Sequence, residues 1–225
     1  VPALIGSKLR MTIVYGTNKN VHGLKIRNFE GMNYLAHSFL SNHNEGLLIG
    51  NFIADHVSGN HFENYTPEVI EGIRMHRRID AFTDSHVKFQ ESKRFFYKGF
   101  EKYSGILVDI YFDHLLAKNF SIYSPAPLSD YCLRVYNVYT KNQQLLPESS
   151  VGFLNYVLQN NVYFSYSTEQ GIERVLYHLS HRIKHGVFLN ESITIFRENL
   201  PQLEENFRLF FRDAIREFHP GDIIS

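Results

Sequence analysis

The sequence predicts an all-α protein, a single-domain bundle of roughly seven to nine helices. Three observations carry this. From Asn33 onward apolar residues recur at helical spacing. Capping residues, glycines and prolines cut the chain into helix-sized pieces. The one strand-like run, residues 11–15, is short and lies in an atypical first stretch. A chain of 225 residues is long enough to bury one sizeable core.

Residues 1–31 carry Gly6, Gly16, Gly23 and Gly31 with scattered Asn and Lys and no sustained periodicity. They read as a leader or N-terminal extension outside a domain spanning 32–225, with a convincing start at Met32. Asn33 is a cap for a short helix through His37 to Leu40. A helix over 45–57 follows, which Gly59 can close, and then a loop over 58–65. Thr66-Pro67 combines a capping hydroxyl with Pro at the first helical position, so a helix starts there and runs to about Phe82. Further helices are expected over 88–102 and 105–120. Ser124-Pro125-Ala126-Pro127 is a break, and helices over 128–142, 151–160, 168–185 and 189–218 follow it, the last bent at Pro201.

Composition excludes several classes. Hydrophobic residues make up 44% and charged residues 20%, which is globular rather than disordered. With 23 basic and 23 acidic residues, net charge gives no push toward nucleic acid or a membrane surface. No apolar run is long enough to span a bilayer, and the start lacks a signal-peptide layout. The single Cys132 sits in an apolar helical stretch and reads as a small buried hydrophobe, compatible with a reducing cytoplasm. Twelve histidines invite a search for metal ligands.

Polar residues on apolar faces answer that search. In the helix after Thr66, Val69, Ile73, His76, Asp80 and Asp84 form one stripe. A histidine and a carboxylate at i, i+4 can bind one metal ion or pair with each other. In the helix from Gly105, Asp109 and Asp113 share a face with Ile106, Ile110 and Leu116; the opposite side is apolar too, so this helix is buried all round. Asp55 follows Leu48 and Phe52 on a third helix, and His37 lies between Ala36 and Ser38 on a fourth. For any one of these, a hydrogen-bonded core residue is the ordinary explanation. Four helices together resemble the way bundle metal sites are made. Mixed His and Asp ligands suit manganese, iron, zinc or magnesium. Arg77 and Arg78 are read as one structural ion-pair partner and one phosphate clamp.

The same residues carry a resemblance. MNYLAHSFLS at 32–41, GNFIADHV at 50–57, GIRMHRRIDAFTDSH at 72–86 and GILVDIYFDHLLAKNF at 105–120 resemble the ordered motifs of bacterial acyl carrier protein phosphodiesterases. GIERVL at 171–176 and LSHR at 179–182 follow that family's C-terminal pattern. The resemblance implies an HD-domain-like helical fold, although Arg77 stands where an HD pair would place Asp after His76. It implies a divalent ion, first of all Mn2+, with Mg2+, Fe2+ or Zn2+ as alternatives. It implies holo acyl carrier protein as substrate, with apo-carrier protein and 4′-phosphopantetheine as products. His37, Asp55, His76, Asp80 and Asp113 match positions that ligate metal or position water. On that reading Asp80 or Asp113 holds or deprotonates the water, and Arg77 or Arg78 stabilises charge building on the phosphate.

Acyl carrier proteins are acidic, and Lys88, Lys93, Arg94, Lys98 and Lys102 recur at near-helical spacing; they are either a docking face or a solvated one. His178, His181 and His185 share a helical face, but the resemblance there rests on Ser180 and Arg182. Two rival readings stand beside this one: an HD-like phosphohydrolase acting on a nucleotide or other small phosphodiester, and a non-catalytic helical protein with buried salt bridges.

Overall fold

The computed structural model describes residues 34–41, 44–181, 183 and 187–218. Residues 1–31, the strand-like run within them, the Asn33 cap, Arg182 and His185 lie outside these described residues. The described residues form an all-α single domain with no strand among them. In order the helices are α1 (Tyr34–Ser41), α2 (Glu45–Ile53), α3 (Pro67–Ser85), α4 (Val87–Phe95), α5 (Tyr97–Phe100), α6 (Ser104–Lys118), α7 (Phe120–Tyr123), α8 (Leu128–Lys141), α9 (Glu148–Gln159), α10 (Val162–Ser165), α11 (Glu169–Ser180), α12 (Ile193–Glu198) and α13 (Leu200–Phe218). No helix among them is long and apolar enough to cross a membrane.

Side-chain caps start four of the helices; at α4 the His86 ring accepts from the Lys88 amide. Asn44 accepts from the Leu47 amide at α2, Thr66 from Val69 at α3 and Thr168 from Gly171 at α11. Each takes up one of the amide groups that a helix start leaves without a partner. Helix α6 is the centre of the bundle. Leu107 through Ala117 are all buried, as its two-sided apolar pattern predicts, and α1, α4, α11 and α13 pack around it. Tyr111 of α6 is stacked between Phe96 and Phe196, with ring centroids at 5.3 and 4.3 Å. The many aromatics are therefore largely core filler.

Four helix ends differ from expectation. The helix expected over 88–102 ends at Phe95, and the short α5 behind it is kinked at Lys98 and Gly99, where Gly99 takes the left-handed φ of 98°. The helix expected over 45–57 ends at Ile53 and tightens into a 3-10 turn over Ala54–His56. Toward the C-terminus, α11 ends at Ser180. The break in the last segment falls at Asn199, so Pro201 lies in the first turn of α13, where its missing amide costs nothing.

Helices α2 and α3 approach most closely at two glycines. A methyl group on Gly72 would lie 2.9 Å from the Gly50 Cα and against the Leu47 carbonyl; one on Gly50 would lie 2.8 Å from the Gly72 Cα and against the Val69 carbonyl. These obstacles are backbone, which cannot rotate aside. The contact places Asn51, next to Gly50, opposite His76, one turn beyond Gly72. Because the obstacles are backbone, the overpacking cost lies at the upper end of its range, about 3 kcal/mol, and less the roughly 1 kcal/mol alanine gains in helix propensity, Gly72→Ala is expected to lower stability by about 2 kcal/mol. Thermal denaturation checks this, and an unchanged or raised melting temperature contradicts it.

Candidate metal centre

Two helices and a 3-10 turn bring four of the five predicted ligands together. His37 comes from α1, and His76 and Asp80 come from successive turns of α3. Among the described residues these three offer ligand atoms that all lie within 4.8 Å of one another. His37 Nε2 is 3.3 Å from Asp80 Oδ1, and His76 Nε2 is 3.2 Å from Asp80 Oδ2. Asp55, on the 3-10 turn that ends α2, places Oδ1 3.2 Å from the same His76 Nε2. Both histidines are almost fully buried, whereas the Asp55 and Asp80 carboxylates are partly open to solvent. The site is a pocket floor of imidazole with a carboxylate rim.

The residue that sequence reasoning missed is Asn51 of α2, which is 2% exposed. Its Oδ1 lies 2.9 Å from Nδ1 of His37 and 2.9 Å from Nδ1 of His76, and its Nδ2 donates to the His37 carbonyl at 3.3 Å. The signal was an asparagine buried one residue after a packing glycine, which no helical periodicity marks as special.

The donor set suits a divalent ion. Ligand atoms about 2.0–2.1 Å from such an ion sit roughly 3.0–3.4 Å apart across a coordination edge, which matches the 3.2 and 3.3 Å separations. His37 Nε2 is buried with no hydrogen-bond partner although it faces a carboxylate. A lone pair turned toward an anion in a buried site is unfavourable unless a cation lies between them.

Without an ion, a proton on His76 meets the Asp55 and Asp80 carboxylates instead. Burial disfavours the charged form of His76, but hydrogen bonds and charge from Asp55 and Asp80 outweigh it and raise its pKa to about 9. Burial likewise pushes Asp80 up, yet His37 and His76 pull it below the usual carboxylate range. A folded-state pKa of about 9, above the ordinary 6.5, stabilises the metal-free protein fully below pH 6.5, and that contribution is lost as pH rises through about 9. The melting temperature in chelator should therefore fall across this window. Divalent affinity should rise across it, because binding displaces the proton. A chelated protein whose melting temperature climbs from pH 6.5 to 9 contradicts the assignment.

Asp113 is not brought to this group. Its carboxylate, fully buried on α6, accepts from the amides of Leu35 and Ala36 at 2.8 Å each. Burial raises its pKa well above the ordinary value, and those two amides oppose the shift. It thus caps the start of α1 from another helix, one residue before His37. Arg77 donates from Nη2 to the Val57 carbonyl at 3.0 Å and lies over the Phe62 ring, which ties down the turn carrying Asp55. Arg78 pairs with Glu71 at 2.9 Å on the surface. Lys88 pairs with Glu91, Lys93 and Arg94 complete α4, and Lys98 and Lys102 lie beyond the break, so the five do not form one stripe. The His181 ring is bonded to the Tyr177 carbonyl, and His178 is exposed.

A small cavity abuts the two imidazoles, lined by Tyr34, Ser38, Asn51, Phe52, Tyr139 and Tyr163. A larger, open hollow between Gln170, Arg174, Tyr177 and Ile193 holds none of the ligands.

The model of one protein family, acyl carrier protein phosphodiesterase, matches residues 32–214. A Shigella boydii protein named acyl carrier protein phosphodiesterase is 32% identical over 185 residues, 80% of this chain and 94% of its own length. Two Escherichia coli proteins of the same name are each 37% identical over 126 residues, 55% of this chain and 63% of theirs. No solved structure matches the chain.

Proposed function

Because the chain belongs to the acyl carrier protein phosphodiesterase family, and is thereby a phosphodiester hydrolase, we propose that it releases 4′-phosphopantetheine from holo acyl carrier protein at the centre built by His37, His76, Asp80 and Asp55. The observation that carries this reading is the convergence of two imidazole nitrogens and a carboxylate at 3.2–3.3 Å, with one nitrogen buried and lacking a hydrogen bond. We take 32–225 as the functional domain, a reading that the family match over residues 32–214 supports. Kinship with HD-domain enzymes rests on motif resemblance alone.

Water attacks phosphorus, the bond from phosphorus to the serine oxygen breaks, and that oxygen leaves with a proton. A divalent ion, manganese first, supplies positive charge to the phosphate oxygens and acidifies water when bound. The protein's own groups divide the rest. With an ion in place of the His76 proton, His37 and His76 would offer their Nε2 atoms to it, and Asp80 stays anionic beside them. Asp55, open to solvent at the rim, is placed to accept the proton of the attacking water. Arg77 holds the turn that carries Asp55. Asp113 acts through α1, by holding the start of the helix that carries His37.

Incubation with holo-carrier protein, followed by mass spectrometry of the products, tests the reading. Phosphopantetheine should appear with manganese, stop on chelation and return when manganese is restored. A purified protein that binds no divalent ion and releases nothing overturns it in favour of buried salt bridges. Hydrolysis of nucleotide diesters but not of carrier protein moves the substrate to a small phosphodiester.

A further inference from the structure

We infer that Asn51 is the positioning residue that makes both imidazoles metal-ready at once, through a single amide oxygen. The inference rests on the reading that His37 and His76 ligate a divalent ion.

A neutral imidazole carries one proton, on either nitrogen, and only the bare nitrogen can bind a metal. The partner of the other nitrogen decides which one is bare. Here the partner is the same atom for both rings. Asn51 Oδ1 is 2.9 Å from each Nδ1, and an amide oxygen has two lone pairs and no proton to give. Both Nδ1 atoms must therefore be donors. Both Nε2 atoms are then left bare, facing Asp80. If His76 takes a second proton, Nδ1–H is still present, so the requirement holds in either charge state.

A reversed amide would do the opposite. Its NH2 would donate to both Nδ1 atoms, force the protons onto both Nε2 atoms and close the site to metal. The His37 main-chain carbonyl decides between the two orientations. It lies 3.3 Å from Asn51 Nδ2, so reversal would set two carbonyl oxygens against each other. The carbonyl of one ligand residue thus selects the tautomer of that ligand and of its neighbour. The ring centroids lie only 4.4 Å apart, close enough for one acceptor to serve both. The acceptor must also stay in place, and the close contact at Gly50 and Gly72 supplies that rigidity.

Three proteins test the inference: wild type, Asn51→Leu and Asn51→Asp. Leucine keeps the approximate shape and removes the acceptor. Aspartate keeps the acceptor, while its second oxygen faces the His37 carbonyl in place of the lost donor and adds a buried negative charge. The first readout is the protonation of the ring nitrogens in metal-free protein, by nitrogen-15 NMR of labelled histidine. The second is calorimetric affinity for manganese and zinc. Wild type should carry Nδ1–H on both His37 and His76. Asn51→Leu should lose that pattern and about 10–100-fold in affinity, as expected for a residue that orients ligands. Asn51→Asp should keep the pattern and bind within about tenfold of wild type.

A bare Nδ1 on either histidine of the wild type overturns the inference, whether or not the variants fold. An Asn51→Leu protein with unchanged ring protonation and affinity also overturns it. Wild type with the expected tautomers but no divalent binding defeats the metal reading instead, so the two failures are distinguishable.

Discussion

His76→Ala should abolish turnover of holo-carrier protein and remove divalent binding, while the helical circular dichroism signal persists. Two effects combine. The substitution deletes a ligand nitrogen, and losing a ligand should exceed the 10–100-fold cost usual for the residues that merely orient ligands. It also leaves the Asp55 and Asp80 carboxylates with no group between them, since His76 Nε2 is 3.2 Å from each. Two facing carboxylates repel each other. The combined loss in kcat/KM should be about a thousandfold or more, drawn from metal-supplied charge stabilisation. The helix itself should survive, because α3 keeps its Thr66 cap and its Pro67 start, and alanine favours helix. Calorimetric titration with manganese and a product assay check both halves. Wild-type turnover in a folded His76→Ala protein would remove this centre from the chemistry.

Asp113→Ala should cost about 2–4 kcal/mol of stability, seen as a lower denaturant midpoint. Two buried amides, Leu35 and Ala36, lose their shared acceptor at 2.8 Å, and each buried donor left unmade costs about 1–3 kcal/mol. Relief from burying a carboxylate offsets part of this. Asp113→Asn should be milder in stability and more informative in function. Its amide oxygen can still accept one of the two amides, so α1 stays anchored at one point. Manganese affinity in that variant should stay within about tenfold of wild type, the range of a residue that acts through a ligand. A loss of metal as complete as in His76→Ala would return Asp113 to the ligand set.

His76 and Asp113 show how far a sequence can be read. His76 and Asp80 were legible as a pair because their relation is local: a helix sets i and i+4 on one face whatever surrounds it. Asp113 was legible as buried for the same reason, since α6 is apolar on every side. Its partners were not legible. They are main-chain amides of α1, more than 70 residues away, and a backbone donor leaves no mark on the residue type. Arg77 and Arg78 illustrate the same limit. Adjacent in sequence, they point to different faces of α3, one to the Val57 carbonyl and one to Glu71.

The sequence by itself determined the all-α class, most helix starts, the fully buried α6 and the local His76–Asp80 pairing. It did so because periodicity, capping chemistry and proline act over a few residues. The tertiary structure alone decided that His37 and Asp55 meet that pair, that Asp113 instead anchors α1, and that Asn51 sits between the two histidines. Those outcomes depend on how closely helices approach and which atoms then face one another. The close contact of Gly50 with Gly72 sets that distance between α2 and α3, and no pattern along one chain encodes which two glycines will touch.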